Sequence, residues 1–119
     1  MTRGNLLQGL PAPVTGERFE TLLAHRQLRI ERIVSSRQPE SIDYCQPQDE
    51  WVLLVSGRAQ LRVAEQTVEL QSGDYLFLPA GTPHRVESTT QGALWLAIHL
   101  DPDSPAPMPP TSLTDEAYP

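Results

Sequence analysis

From Leu28 onward the apolar residues of this chain recur with a period of two, in short runs separated by turn signals, and that pattern restricts the fold more than any other feature. Eight such runs are legible: Leu28–Val34, Glu40–Gln46, Glu50–Ser56, Ala59–Ala64, Thr67–Gln71, Tyr75–Pro79, Pro83–Ser88 and Ala93–Leu100. Ser56-Gly57, Glu65-Gln66, Ser72-Gly73-Asp74, Ala80-Gly81 and Gln91-Gly92 mark the turns between them. Short strands at this spacing predict an all-β sandwich or barrel. Closure is favoured because an open sheet of that width leaves edges that invite aggregation. A barrel of about eight strands encloses room for side chains or for one small ligand.

The flanks differ. Glu17 to His25 sets Phe19, Leu22 and Leu23 at helical spacing behind Thr15 or Gly16, which predicts one short N-terminal helix. Of the 12 prolines, eight lie at the ends and four in the interior. The expected organisation is an N-terminal extension over 1–16, a barrel domain over 17–100 and a proline-rich tail over 101–119, the tail extended because it has little to bury.

Composition excludes several chemistries. All nine basic residues are arginine, so lysine Schiff bases and phosphate-loop lysines are absent. Fifteen acids give a net charge of −6, which argues against nucleic acid as a partner and suits a metal ion or a small neutral or cationic molecule. The single Cys45 forms no intrachain disulfide and no zinc-binding cysteine pair, consistent with a reducing compartment. No apolar run reaches the roughly 20 residues of a membrane-spanning helix, so the chain reads as cytoplasmic with no membrane partner.

The most specific local pattern is Gly73-Asp74-Tyr75-Leu76-Phe77-Leu78-Pro79-Ala80-Gly81-Thr82-Pro83-His84, in which Pro79 and Pro83 frame the turn that delivers His84. Here the chain resembles the cupin superfamily, in particular small single-domain bacterial cupins, whose second motif is matched at Gly73, Pro79, Gly81 and His84. Glu50 and Gly57 stand at the separation of the first motif's glutamate and glycine. The two histidines that precede that glutamate are missing: their places fall on Tyr44 and Gln46 in one register, and on Asp43 and Cys45 in the other. The resemblance implies a jelly-roll barrel, pairing into a homodimer, and a divalent metal ion (Mn, Fe, Ni or Zn), with Glu50 and His84 as the two ligands carried over.

Strand parity places the site independently. Tyr44, Gln46, Glu50, Val52 and Leu54 share one face and Cys45 points the other way, while Glu50 among apolar neighbours requires a cation or donors. Tyr44, Gln46, Trp95 and His99 are the expected ligand-pocket residues, beside Glu50 and His84 as metal ligands. The blander readings are a hydrogen-bonded Glu50–His84 pair without metal, core packing for Trp51 and Trp95, and a rim position for His99. No residue is assigned a catalytic role. Two functions follow: a cupin pocket binding a divalent metal and a small molecule, or a metal-free module that binds or senses a small ligand.

Overall fold

The structure is a computed structural model that describes residues 1–9 and 11–102. The C-terminal tail therefore lies outside the described residues from position 103 onward. Eight strands form two antiparallel sheets: β1 (Glu17–His25), β2 (Leu28–Ser35), β3 (Asp49–Ser56), β4 (Arg58–Val63), β5 (Gln66–Gln71), β6 (Tyr75–Leu78), β7 (His84–Thr89) and β8 (Ala93–Leu100). The larger sheet has the order β1-β2-β8-β3-β6 and the smaller β5-β4-β7. Ile33, Val52, Leu54, Leu61, Leu70, Leu78, Trp95 and Ala97 fill the space between them. Burying a Leu or Ile side chain of this kind stabilises the fold by about 1.5–3 kcal/mol.

Two elements differ from the sequence expectation. Glu17–His25 is a strand, not a helix, paired with β2 from Glu17 opposite Ser35 to His25 opposite Leu28. A register shift between Thr21 and Leu23 marks a β-bulge there. The extra residue breaks the alternation and brings Leu22 beside Leu23, which mimics the spacing of a helical face. The second difference is Glu40–Gln46, which forms no strand; Pro39 and Pro47 bracket it, and it touches the sheet through one isolated bridge between Tyr44 and His84. The number of strands is unchanged because β1 takes the place of this run.

In antiparallel sheets register decides which side chains meet. Glu50 stands opposite His99, Val52 opposite Ala97 and Leu54 opposite Trp95, so Ala93, Trp95, Ala97 and His99 turn inward with Glu50. On β2 the same face carries Arg29, Glu31, Ile33 and Ser35. Gly57, which closes β3, has φ +105° and sits so close to β8 that a Cβ there would lie 2.8 Å from Thr90 Oγ1 and 2.9 Å from the Ala93 Cβ. Only glycine meets both demands.

Candidate functional site

A small cavity opens between the sheets, with Glu17, Tyr44, Glu50 and His84 as its polar residues and Phe19, Ile33, Val52, Leu61, Leu78, Val86 and Trp95 as its apolar walls. Its volume of ≈ 40 Å³ suits a water or a group of two or three atoms.

Two turns deliver the polar side chains. After β6, Thr82 N donates to Pro79 O at 3.1 Å and Gly81, at φ +82°, carries the chain round to His84. This turn also grips the irregular segment before β3. Tyr44 and His84 exchange backbone hydrogen bonds of 2.8 and 2.9 Å, and Gly81 N donates to Gln46 O at 2.8 Å. The Tyr44 ring stacks on the imidazole with centroids 5.6 Å apart. At the rim, Arg85 Nε donates to Asp43 Oδ1 at 2.8 Å.

His84 Nδ1 lies 3.0 Å from Thr82 O, and a carbonyl only accepts, so Nδ1 carries the hydrogen and the neutral ring presents its Nε2 lone pair to the site. Gln46 Nε2 is 3.5 Å from that Nε2 and 3.5 Å from Glu50 Oε1, and Glu50 Oε1 is itself 3.9 Å from His84 Nε2. Both neighbours of the Gln46 amide are acceptors, which fixes its NH₂ toward them. Its Oε1 is buried with no partner among the described residues.

Tyr44, Glu50, His84 and Trp95 therefore line one cavity, with Gln46 joined to it through Glu50 and His84. His99 points inward too, but it is not among the cavity-lining residues: its Nε2 meets Glu31 Oε1 at 3.0 Å, and Arg29 Nη1 donates to Glu31 Oε2 at 3.2 Å. Cys45 is exposed. Glu17 was missed from sequence because its segment resembles a helix; the available signal was parity, since Glu17, Phe19 and Thr21 alternate into the barrel once β1 is paired.

Burial pushes the Glu17 carboxyl above the usual carboxylate range; the Ser35 hydroxyl holds it back in part, and the charges of Glu50 and Glu40 raise it further. Burial likewise pushes the Tyr44 phenol up to about 12, with Glu17, Glu40 and Glu50 adding to the rise. At neutral pH Tyr44 is thus a hydrogen-bond donor.

The residues present do not fit the metal that the resemblance implies. Divalent transition ions are held by three or four donors, here reduced to Glu50 and His84, and the Gln46 NH₂ is turned toward both. Among the described residues no three His, Cys, Asp or Glu side chains form a group able to hold an ion.

Comparison with known proteins agrees with this architecture. A crystal structure from Ralstonia eutropha, described as a candidate mannose-6-phosphate isomerase, is 39% identical, with 84% of this chain and 98% of that one covered and a TM-score of 0.77. An RmlC-like cupin from Shewanella frigidimarina is 17% identical over 75% of this chain and 79% of its own, with a TM-score of 0.66, a likeness of fold. An uncharacterised protein of Streptomyces coelicolor is 32% identical over 57 residues, 48% of this chain and 54% of that protein, so the match spans about half of that curated relative. No helix among the described residues is long and apolar enough to cross a membrane. The cupin domain family matches residues 35–99, which hold both the Glu50–Gly57 pair and the whole Gly73–His84 motif; with two antiparallel sheets closing on that motif, this chain belongs to the cupin family.

Proposed function

We propose that the protein is a small-molecule cupin whose barrel site works without a bound metal ion. The observation that supports this reading is the Gln46 amide, which satisfies Glu50 and His84 with its own hydrogens and leaves a buried Oε1 for a donor on the ligand. Tyr44 donates, Glu50 and His84 Nε2 accept, and apolar walls give these few polar groups their orienting strength. The name of the Ralstonia relative suggests a sugar phosphate. Size and charge favour something smaller: a phosphate would meet Glu17 and Glu50, and ≈ 40 Å³ admits only a reacting group.

Elemental analysis of protein purified without chelators tests the metal question. Wild type is expected to carry no stoichiometric manganese, iron, nickel or zinc and to gain none on titration. Tyr44→His with Gln46→His, which restores both missing ligands, is expected to take up one ion. Thermal melts with two- to four-carbon hydroxy-ketones, polyols and amines supply the ligand arm, the expected stabilisation being indifferent to EDTA. Stoichiometric metal in wild type, or a ligand effect abolished by EDTA, overturns the proposal.

We further propose that two copies pair through the outer face of the larger sheet. Edge strand β6 holds Tyr75 and Phe77 outward at 64% and 59% exposure, Leu100 is 53% exposed, and the Trp51 ring lies 5.4 Å from that of Tyr75. An apolar face of this kind in water marks an interaction surface. Sedimentation should give a dimer that Phe77→Glu converts to monomer; a monomeric wild type refutes the pairing.

A further inference from the structure

The chain has no lysine, and no arginine lines the cavity between the sheets, whose lining includes two carboxyls, Glu17 and Glu50. Two of the arginines on this side of the barrel serve other acids. Arg85 donates to Asp43 at the rim, and Arg29 donates to Glu31 within the larger sheet. Glu17, which belongs to neither family motif, is held by one oxygen: the Trp95 indole donates to Ser35 Oγ at 3.0 Å, and the Ser35 hydroxyl donates in turn to Glu17 Oε2. Among the described residues Ser35 is the only hydrogen-bond partner of that carboxyl, so its Oε1 is available to a ligand.

The remaining polar groups are mostly acceptors as well. His84 Nε2 presents a lone pair, and Gln46, 5% exposed and joined to the cavity through Glu50 and His84, has a buried Oε1 with no partner among the described residues. The Tyr44 hydroxyl donates but also has lone pairs to offer. Three aromatic rings, those of Phe19, Tyr44 and Trp95, stand among the walls. Carboxyls beside aromatic rings suit an organic cation, because ring quadrupoles attract positive charge and apolar walls exclude the water that would screen it. A neutral hydroxyl compound gains little from either feature, and an anion is repelled by both. A primary ammonium carries three N–H donors and no acceptor, the complement of this lining. Size narrows the class further, since ≈ 40 Å³ holds a CH₂–NH₃⁺ head and is too small for a trimethylammonium group.

We infer that the cavity binds the head of a small primary alkylammonium ion, with Glu17 and Glu50 accepting its hydrogens and the rings of Phe19, Tyr44 and Trp95 bordering its carbon. The inference rests on the reading of the barrel site given above and adds to it a ligand class and a role for β1, the strand that supplies both Glu17 and Phe19. Burial and the charges of Glu50 and Glu40 raise the Glu17 carboxyl, and a cation beside it opposes that rise.

Methylammonium chloride, protonated at neutral pH, is the probe. Titrated into wild type, it should give a saturable upfield shift of its methyl proton resonance from the aromatic ring currents, and it should raise Tm. Potassium chloride at equal ionic strength, methanol and tetramethylammonium should raise Tm no further than buffer does. Glu17→Gln should weaken methylammonium binding at least about thirtyfold, the effect of removing one partner of a desolvated charge pair. Phe19→Leu should weaken it about two- to fivefold, the share of one ring in the attraction. Circular dichroism confirms that each variant folds, and the ring-current shift is read on wild type without any variant. Absence of that shift, equal stabilisation by potassium or tetramethylammonium, or full affinity in Glu17→Gln overturns the inference. If methylammonium fails while a hydroxy-ketone or polyol stabilises the protein indifferently to EDTA, the inference falls and the reading of the barrel site stands; stoichiometric metal in wild type overturns that reading itself.

Discussion

Two buried glutamate–histidine pairs face the interior of this barrel, Glu31–His99 within the larger sheet and Glu50–His84 across the two sheets, and they differ in closure. Glu31 is met on one oxygen by His99 at 3.0 Å and on the other by Arg29 at 3.2 Å. Glu50 stands 3.9 Å from His84 and 3.5 Å from Gln46, at the edge of a cavity. The first pair has its counter-charge supplied by its own strand; the second lines the cavity beside Tyr44 and Glu17. A buried acid beside an imidazole is therefore not by itself a site. The difference lies in whether the pair is packed away from the cavity or borders it.

The largest effect expected from this contrast is on stability. His99→Ala removes one partner of a buried charged group, which costs about 3–5 kcal/mol, and urea denaturation should show a loss of that order. His84→Ala should cost less, since its contacts with Glu50 and Gln46 are longer and the cavity already admits water. Equal losses in the two variants would erase the distinction between a closed and an open pair.

Only the Glu50–His84 half of this contrast was readable in the sequence, for reasons that depend on local geometry. The Gly73–His84 motif and the position of Glu50 were legible because turn chemistry and parity act over a few residues, and β2 through β8 follow the same alternation with the exception of the run before Glu50. Glu17 was hidden because a one-residue bulge at Leu22 disguises a strand as a helical face. The inward direction of His99 was undecided because both faces of β8 are apolar: Ala93, Trp95 and Ala97 line one side and Leu94, Leu96 and Ile98 the other. Only its register against Glu50 settles the matter, and register is a long-range property.

A second, smaller effect marks the cavity side of the comparison by pH. Glu17, which faces the open site, has its folded-state carboxyl raised above the ordinary value of 4.5, burial being the main cause. The folded protein therefore holds a proton that the unfolded chain has released, and stability falls as pH rises from 4.5 through the raised value. Below 4.5 the contribution is fully present. Glu17→Gln removes the titrating group, so its stability should stay flatter over that window than that of wild type. Identical pH profiles would show that Glu17 is as solvated as a surface carboxyl.

The smallest effect comes from Tyr44 and appears only in alkali. The phenol is raised from 10.0 to about 12, first by burial and then by the charges of Glu17, Glu40 and Glu50. It too is an acid held neutral by the fold, so its stabilisation is complete below pH 10 and is lost as pH climbs from 10 toward 12. The side chain is partly exposed, and solvent screening keeps the energy small. Phenolate absorbance near 295 nm should titrate later for Tyr44 than for the exposed Tyr75. Tyr44→Phe should lack the late step and lose less stability across the same interval. A late step that survives Glu17→Gln unchanged would assign the shift to burial with Glu40 and Glu50, whereas one that moves downward shows the Glu17 charge reaching the phenol.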